Sequence, residues 1–243
     1  MRKVRLTAYF IVFALIVGAA LTYRFGRSLW HPAYVRLRGS RTVAEVVQEH
    51  GGSAGERMES YFERADVPYP PERVALLAFK KERRLELWAW KADAWAFIRS
   101  YPVLAVSGGP GPKLREGDRQ VPEGIYRIEA LNPNSSYHLS MKLDYPNDFD
   151  REKARRDGRV RLGGDIFIHG KAKSIGCLAV GDEAIEDLFC LVERDWSREV
   201  KVLIAPNDIR CGRPAEGDAS SPPWAGELYE ALGRELAPFT VRP

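Results

Sequence analysis

Hydrophobic and polar positions alternate along the 243-residue chain in blocks that predict a series of elements. Leu6 to Tyr23 is a run of eighteen residues without a charge, near the minimum needed to span hydrocarbon. Thr42 to Ala65 shows helical spacing in two pieces. Val43, Val46 and Val47 make one apolar face and Met58, Tyr61 and Phe62 the next, with a break expected at Gly51-Gly52. Val67-Pro68-Tyr69-Pro70-Pro71 then breaks the chain. Val74 to Phe79 and the alternating Leu85 to Trp90 predict a β-hairpin turned at Lys80 to Arg84. Trp95 to Tyr101 reads as a short amphipathic link, and Val103 to Val106 as a further strand. Ile166 to Ile168 reads as a buried strand ending on His169, and a helix opens near Asp182. Val200 to Ala205 is a closing strand, and Trp224 to Leu236 a final helix with Leu228, Leu232 and Leu236 in line. The fold class expected is mostly β with flanking helices, an α+β domain.

Charge adds a topology. Arg2, Lys3, Arg5, Arg24 and Arg27 fall in the first 30 residues with no acid, while the remaining 32 basic and 33 acidic residues nearly cancel. The basic excess therefore sits beside the apolar run and gives no support to nucleic-acid binding. The denser cluster before the run places the N-terminus in the cytoplasm. An uncleaved single-pass anchor is expected, with the rest of the chain on the periplasmic, extracytoplasmic side. A cleaved signal peptide is the rival, although Gly18-Ala19-Ala20 only loosely matches a cleavage site. Four segments follow. Residues 1–23 form the anchor, and 24–66 a basic, irregular tether and packing helices. Residues 67–206 form the main folded domain, and 207–243 a C-terminal coil and helix. The basic run from Arg151 to Arg161 reads as a solvated loop.

The chemistry concentrates in Asp165-Ile-Phe-Ile-His169-Gly170-Lys-Ala-Lys-Ser174-Ile-Gly176-Cys177-Leu178. A turn between His169 and Cys177 lets the two side chains meet. A thiolate is a nucleophile, and an imidazole within reach takes its proton. Gly176 lacks a Cβ, so the N–H groups of Gly176 and Cys177 are candidates to face an oxyanion. The residues alone leave catalysis and a buried structural role for this pair equally open. The three cysteines, Cys177, Cys190 and Cys211, show no metal spacing, and His31, His50 and His138 are scattered. No metal and no cofactor are expected. A bridge between Cys190 and Cys211 stays open.

His-Gly-x-x-x-Ser-x-Gly-Cys resembles the signature of the L,D-transpeptidase catalytic domain, the YkuD family, and its short His-to-Cys spacing resembles the YafK-like branch, which acts on murein. Val121-Pro122-Glu123-Gly124 resembles the family's Thr-Pro-x-Gly turn, with Val121 replacing the Thr. Asn132 to Ser140 and Tyr145 to Asp150 resemble that branch again. The resemblance covers about residues 67–206. It implies an L,D-transpeptidase-type β-sandwich. It makes Cys177 the nucleophile and His169 its base, with a thioester formed at meso-diaminopimelate of a murein stem peptide. Water or an amine would resolve it. Ser174, Tyr137 and His138 are candidate substrate contacts, and a murein-linked lipoprotein is a candidate partner. One position departs from the better-known pattern: Ala179 stands where Cys-Ile-Arg members carry an Arg. The YafK-like branch shares that departure and is associated with hydrolysis, so hydrolysis and transpeptidation both stay open. A membrane-tethered murein-binding module without activity and a general cysteine protease are the alternatives from other classes. The protease fits poorly, because papain-like enzymes place the Cys before the His.

Overall fold

The computed structural model describes residues 12–19, 21–23, 26–194, 199–215 and 221–240. Contacts divide the chain into two units, Met1–Arg41 and Thr42–Pro243.

In the first unit, residues 12–19 and 21–23 are helical. No helix among the described residues is long and apolar enough to cross a membrane. Part of the expected span, residues 6–11 and 20, lies outside the described residues. A helix, α1 (Arg27–Arg38), replaces the expected irregular tether. Pro32 sits inside it and removes one backbone donor. Ring packing offsets that loss: Trp30 stacks on Tyr23 with centroids 5.4 Å apart and meets Tyr34 edge-on at 6.0 Å. Arg36 and Arg38 in the last turn complement the helix dipole.

The second unit opens with α2 (Val43–Arg64), one unbroken helix rather than two pieces. A capping box between Thr42 and Glu45 starts it. The helix runs through Gly51 and Gly52 because Val46, Gly51, Ala54, Met58 and Phe62 are buried along one face. Burial of that stripe outweighs the cost of about 1 kcal/mol per helical glycine.

The sheet has eight strands: β1 (Val74–Phe79), β2 (Arg84–Lys91), β3 (Ala94–Pro102), β4 (Gly124–Asn132), β5 (Ser140–Leu143), β6 (Phe167–His169), β7 (Leu178–Ala179) and β8 (Lys201–Ala205). Their order is β3-β2-β1-β8-β4-β5-β6-β7. It is one continuous curled sheet, where a sandwich was expected, and the domain is mixed α+β. β8 closes the sequence of strands yet lies centrally, parallel to β1 and antiparallel to β4. β1 is apolar throughout because both its faces are covered. Val74, Leu76 and Ala78 join the core with Met58 and Phe62; Ala75, Leu77 and Phe79 pack with Leu228, Leu232 and Leu236 of α5 (Ala225–Leu236).

Three further elements differ from expectation. The expected link Trp95–Tyr101 is strand β3, joined to β2 through Ala92 and Asp93 at φ 44° and 66°. Two left-handed residues make the tight hairpin turn, without the glycine that usually marks it. Val103–Val106 forms no strand beyond an isolated bridge from Ala105 to Ala179, since Pro102 ends the β3 ladder. The basic run after residue 150 continues α3 (Asp148–Arg156), whose start is a capping box between Asn147 and Asp150. Its last turn carries Lys153, Arg155 and Arg156, which suits a helix C-terminus. All three cysteines are free.

Candidate active site

β6 is three residues long because it only has to bring His169 to the end of a ladder. His169 pairs with Ser140 of β5 on one side and Ala179 of β7 on the other. β6 and β7 run parallel, with Ile168 opposite Leu178. Cys177 therefore lies one step before that pair and His169 one step after it. That is a diagonal of about 8 Å between Cα atoms on sheet geometry, which an imidazole and a thiol can close. The Cys177 Sγ lies against the start of β6, 3.7 Å from the carbonyl oxygen of Asp165 and bonded by the backbone N–H of Phe167.

Glycine makes the strand end possible. A Cβ on Gly170 would stand 2.6 Å from the Tyr137 carbonyl oxygen and 2.7 Å from Asp182 Oδ1. No side chain fits there, so the chain passes between the β4–β5 connection and α4 (Asp182–Arg194) only as glycine. Asp182 then accepts the Lys171 N–H at 2.9 Å and tethers the loop after the strand.

His169 is 3% exposed. Its Nδ1 donates to the Gly170 carbonyl oxygen at 2.6 Å. A carbonyl only accepts, so Nδ1 carries the proton and Nε2 keeps its lone pair. Burial pushes the His169 pKa down, opposed by that bond. Burial pushes the Cys177 thiol up, and Asp165 adds to it, against the Phe167 N–H and the Lys113 charge. Both shifts favour the neutral forms, a thiol and an imidazole.

The loop before Cys177 is held by two hydroxyls. Ser174 Oγ accepts the Cys177 N–H at 2.9 Å and donates to the Cys177 carbonyl at 2.6 Å. Ser107 Oγ accepts the Gly176 N–H at 2.6 Å. Gly176 reaches this bond at φ 95°, a left-handed conformation.

The Tyr137 ring lies 4.5 Å from the His169 ring, while the Cys177 Sγ sits against the start of β6, one diagonal from His169 on the β6–β7 register. Three expectations shift. The N–H groups of Gly176 and Cys177, expected to face an oxyanion, are engaged by the two hydroxyls in this conformation. Ser174 braces the loop internally instead of facing a ligand. His138 Nε2 is 2.8 Å from Glu186 Oε1 on α4, and that carboxylate, rather than a ligand, holds it. Sequence reasoning missed Ser107, which lies in the turn-rich stretch Ser107–Pro112. The Gly176 bond leaves its own hydroxyl proton to donate. Its only sequence signal was position, just after an apolar run. Ala179 is fully buried and paired to His169 and Ala105, so no cation projects from it.

The family model of the L,D-transpeptidase catalytic domain, YkuD, matches residues 73–204. The chain is 35% identical over 121 residues to the Putative L,D-transpeptidase YafK of Escherichia coli K12, covering 49% of this chain and 47% of that protein. The chain thus spans about half the length of the curated relatives it matches. The helical cell shape determining protein Pgp2 of Campylobacter jejuni superposes with a TM-score of 0.47 at 20% identity, covering 65% of this chain and 57% of that one. Bd1075 of Bdellovibrio bacteriovorus gives 0.42 at 20% identity over 71% and 57%. The family model covers more than half of the residues, including the whole β6–β7 stretch, and the chain belongs to the YkuD family of L,D-transpeptidase catalytic domains.

Proposed function

We propose that the protein is a peptidoglycan-modifying cysteine enzyme that works by acyl transfer through a thioester. One observation carries the reading: within the family-matched residues, the β6–β7 register sets Cys177 diagonal to a His169 whose Nε2 lone pair is available. The Cys177 Sγ attacks a stem-peptide carbonyl at meso-diaminopimelate as its proton passes to His169 Nε2. The Ser107 hydroxyl donates to the oxyanion of the tetrahedral intermediate. His169 returns the proton to the departing amine, and a thioester remains on Cys177. Water or an acceptor amine attacks the thioester, gives its proton to His169, and the Cys177 thiol is regenerated. Tyr137 covers the imidazole and borders the bound stem peptide.

The finer assignment is hydrolysis. Ala179 offers no charge beside the nucleophile, in line with the departure already seen in the sequence. A murein-linked lipoprotein is then a candidate substrate. Leu6 to Tyr23 is assigned to hold the domain on the outer face of the cytoplasmic membrane. Purified sacculi incubated with the full chain, followed by mass analysis of the muropeptides, test the reading. Shortened or released stem peptides indicate hydrolysis, new cross-links or amine adducts indicate transpeptidation, and an unchanged profile rejects both.

A further inference from the structure

Outside the β6–β7 stretch, one cluster of side chains makes no contribution to the acyl-transfer chemistry. His50 of α2, His138 of the β4–β5 connection and Glu186 of α4 converge, although they are far apart in sequence. One ligand atom from each can be chosen so that all lie within 4.8 Å of one another. His138 Nε2 is 2.8 Å from Glu186 Oε1, and His50 Nδ1 is 3.7 Å from the same oxygen. The two imidazole rings meet edge-on with centroids 5.6 Å apart.

An ion pair needs only one of these imidazoles. Glu186 Oε1 is satisfied by His138, yet His50 is packed against the same oxygen beyond hydrogen-bond reach. Its Nε2 is buried without a hydrogen-bond partner, and Glu49 Oε1 stands 3.6 Å from it. Arg57 Nη2 lies 3.3 Å from the other oxygen, Glu186 Oε2, which turns Oε1 toward both rings. The Arg57 charge is itself met by Asp187 at 2.7 Å.

We propose that His50, His138 and Glu186 bind a divalent transition metal of the zinc class. Two imidazole nitrogens and one carboxylate oxygen are borderline donors that suit Zn2+. A tetrahedral ion with bonds of about 2.1 Å holds its ligand atoms roughly 3.4 Å apart. That lies between the two nitrogen-to-oxygen spacings found here, and all three ligand atoms fall within 4.8 Å of one another, so side-chain adjustment of about an ångström seats the ion. With Nδ1 of His50 as ligand, its Nε2 carries the proton and Glu49 becomes the outer acceptor, the usual support of a metal-bound imidazole. Three protein ligands leave a position for water. The ion ties α2 and α4 to the connection that carries Tyr137 against His169. The proposal departs from the expectation of no metal, which rested on histidines scattered in the sequence that the topology gathers.

The test uses the full chain in detergent carrying Cys177→Ala and Cys211→Ala, so that no accessible thiol competes for metal. It is freed of metal with a chelator and titrated with Zn2+ by calorimetry. One equivalent should bind. His50→Gln and His138→Gln should each weaken binding by more than the roughly 10–100-fold cost of losing an outer partner. His50→Gln is the decisive variant, since no hydrogen bond to its ring is lost, and its metal-free melting temperature should match that of the parent. A folded His50→Gln chain that binds Zn2+ as tightly as its parent overturns the proposal, and so does a parent that binds none.

Discussion

The Nδ1 of His169 donates to the carbonyl oxygen of the next residue, Gly170, at 2.6 Å. That bond settles the tautomer, because the acceptor has no proton to give. It leaves Nε2 as a base and needs no third side chain to orient the ring. Tyr137 packs on the same imidazole at 4.5 Å and limits its rotation.

His169→Ala should lower turnover by roughly 10²–10⁴-fold, the worth of a positioned acid–base group. Alkylation of Cys177 by iodoacetamide near neutral pH should slow as well, since no group remains to take the proton. An unchanged alkylation rate would exclude His169 as the partner of the thiol.

The pH profile follows from two opposed shifts. Burial holds the imidazole pKa below its ordinary 6.5, so His169 stays neutral and competent as a base to lower pH. Burial holds the thiol above its ordinary 9.0. Turnover should be flat between these two values, with its acid limb below the first and its alkaline limb above the second. A titration of the Cys177 alkylation rate to a plateau at neutral pH would mean a preformed thiolate, contrary to this account.

Ser107→Ala should reduce kcat by about 10²–10³-fold, the cost of one oxyanion donor. The alkylation rate of Cys177 should stay near that of the parent, because the thiol and His169 are untouched. A variant that slows alkylation and turnover alike would assign Ser107 to loop bracing only.

Asp150 predicts a pH-dependent stability. Its Oδ2 accepts the Asn147 N–H at 3.0 Å and its Oδ1 the Tyr126 hydroxyl at 3.3 Å. Burial nevertheless raises its pKa from 3.8 to about 6. The folded chain thus binds the proton more tightly than the unfolded chain, so stability falls as pH rises through that window. The loss is at most about 3 kcal/mol from this group. Comparison of urea unfolding at pH 4 and pH 6 should show Asp150→Asn losing less than the parent; equal losses would remove Asp150 as the cause.

Much of this fold was legible because local pattern and tertiary role agree. The run Val74–Phe79 is apolar in every position since β1 is covered on both faces, and Ile166–Ile168 ends on His169 because the strand does. Misreadings fall where tertiary contacts override the local signal. Gly51-Gly52 reads as a break, but the buried stripe from Val46 to Phe62 carries the helix through. Ala92-Asp93 contains no glycine, so the turn that makes β3 a strand left no mark. At the site, the stretch from His169 to Cys177 stood out by chemistry and spacing, but the residues alone left its role open and only the family resemblance singled out the pair. Ser107 was not legible, because the Ala105–Ala179 bridge delivers it from a distant segment, and neither was the meeting of His50 with Glu186. The engagement of the Gly176 N–H depends on that same bridge.

The central claim is that Cys177 carries the chemistry. Cys177→Ala removes the Sγ while leaving the Ser174 and Ser107 bonds to the loop backbone in place, so the chain should melt as its parent does. Sacculi treated with equal amounts of the two folded proteins, then resolved into muropeptides by mass, compare them directly. The parent should give an altered stem-peptide profile and Cys177→Ala an untouched one. The same altered profile from both would contradict the claim.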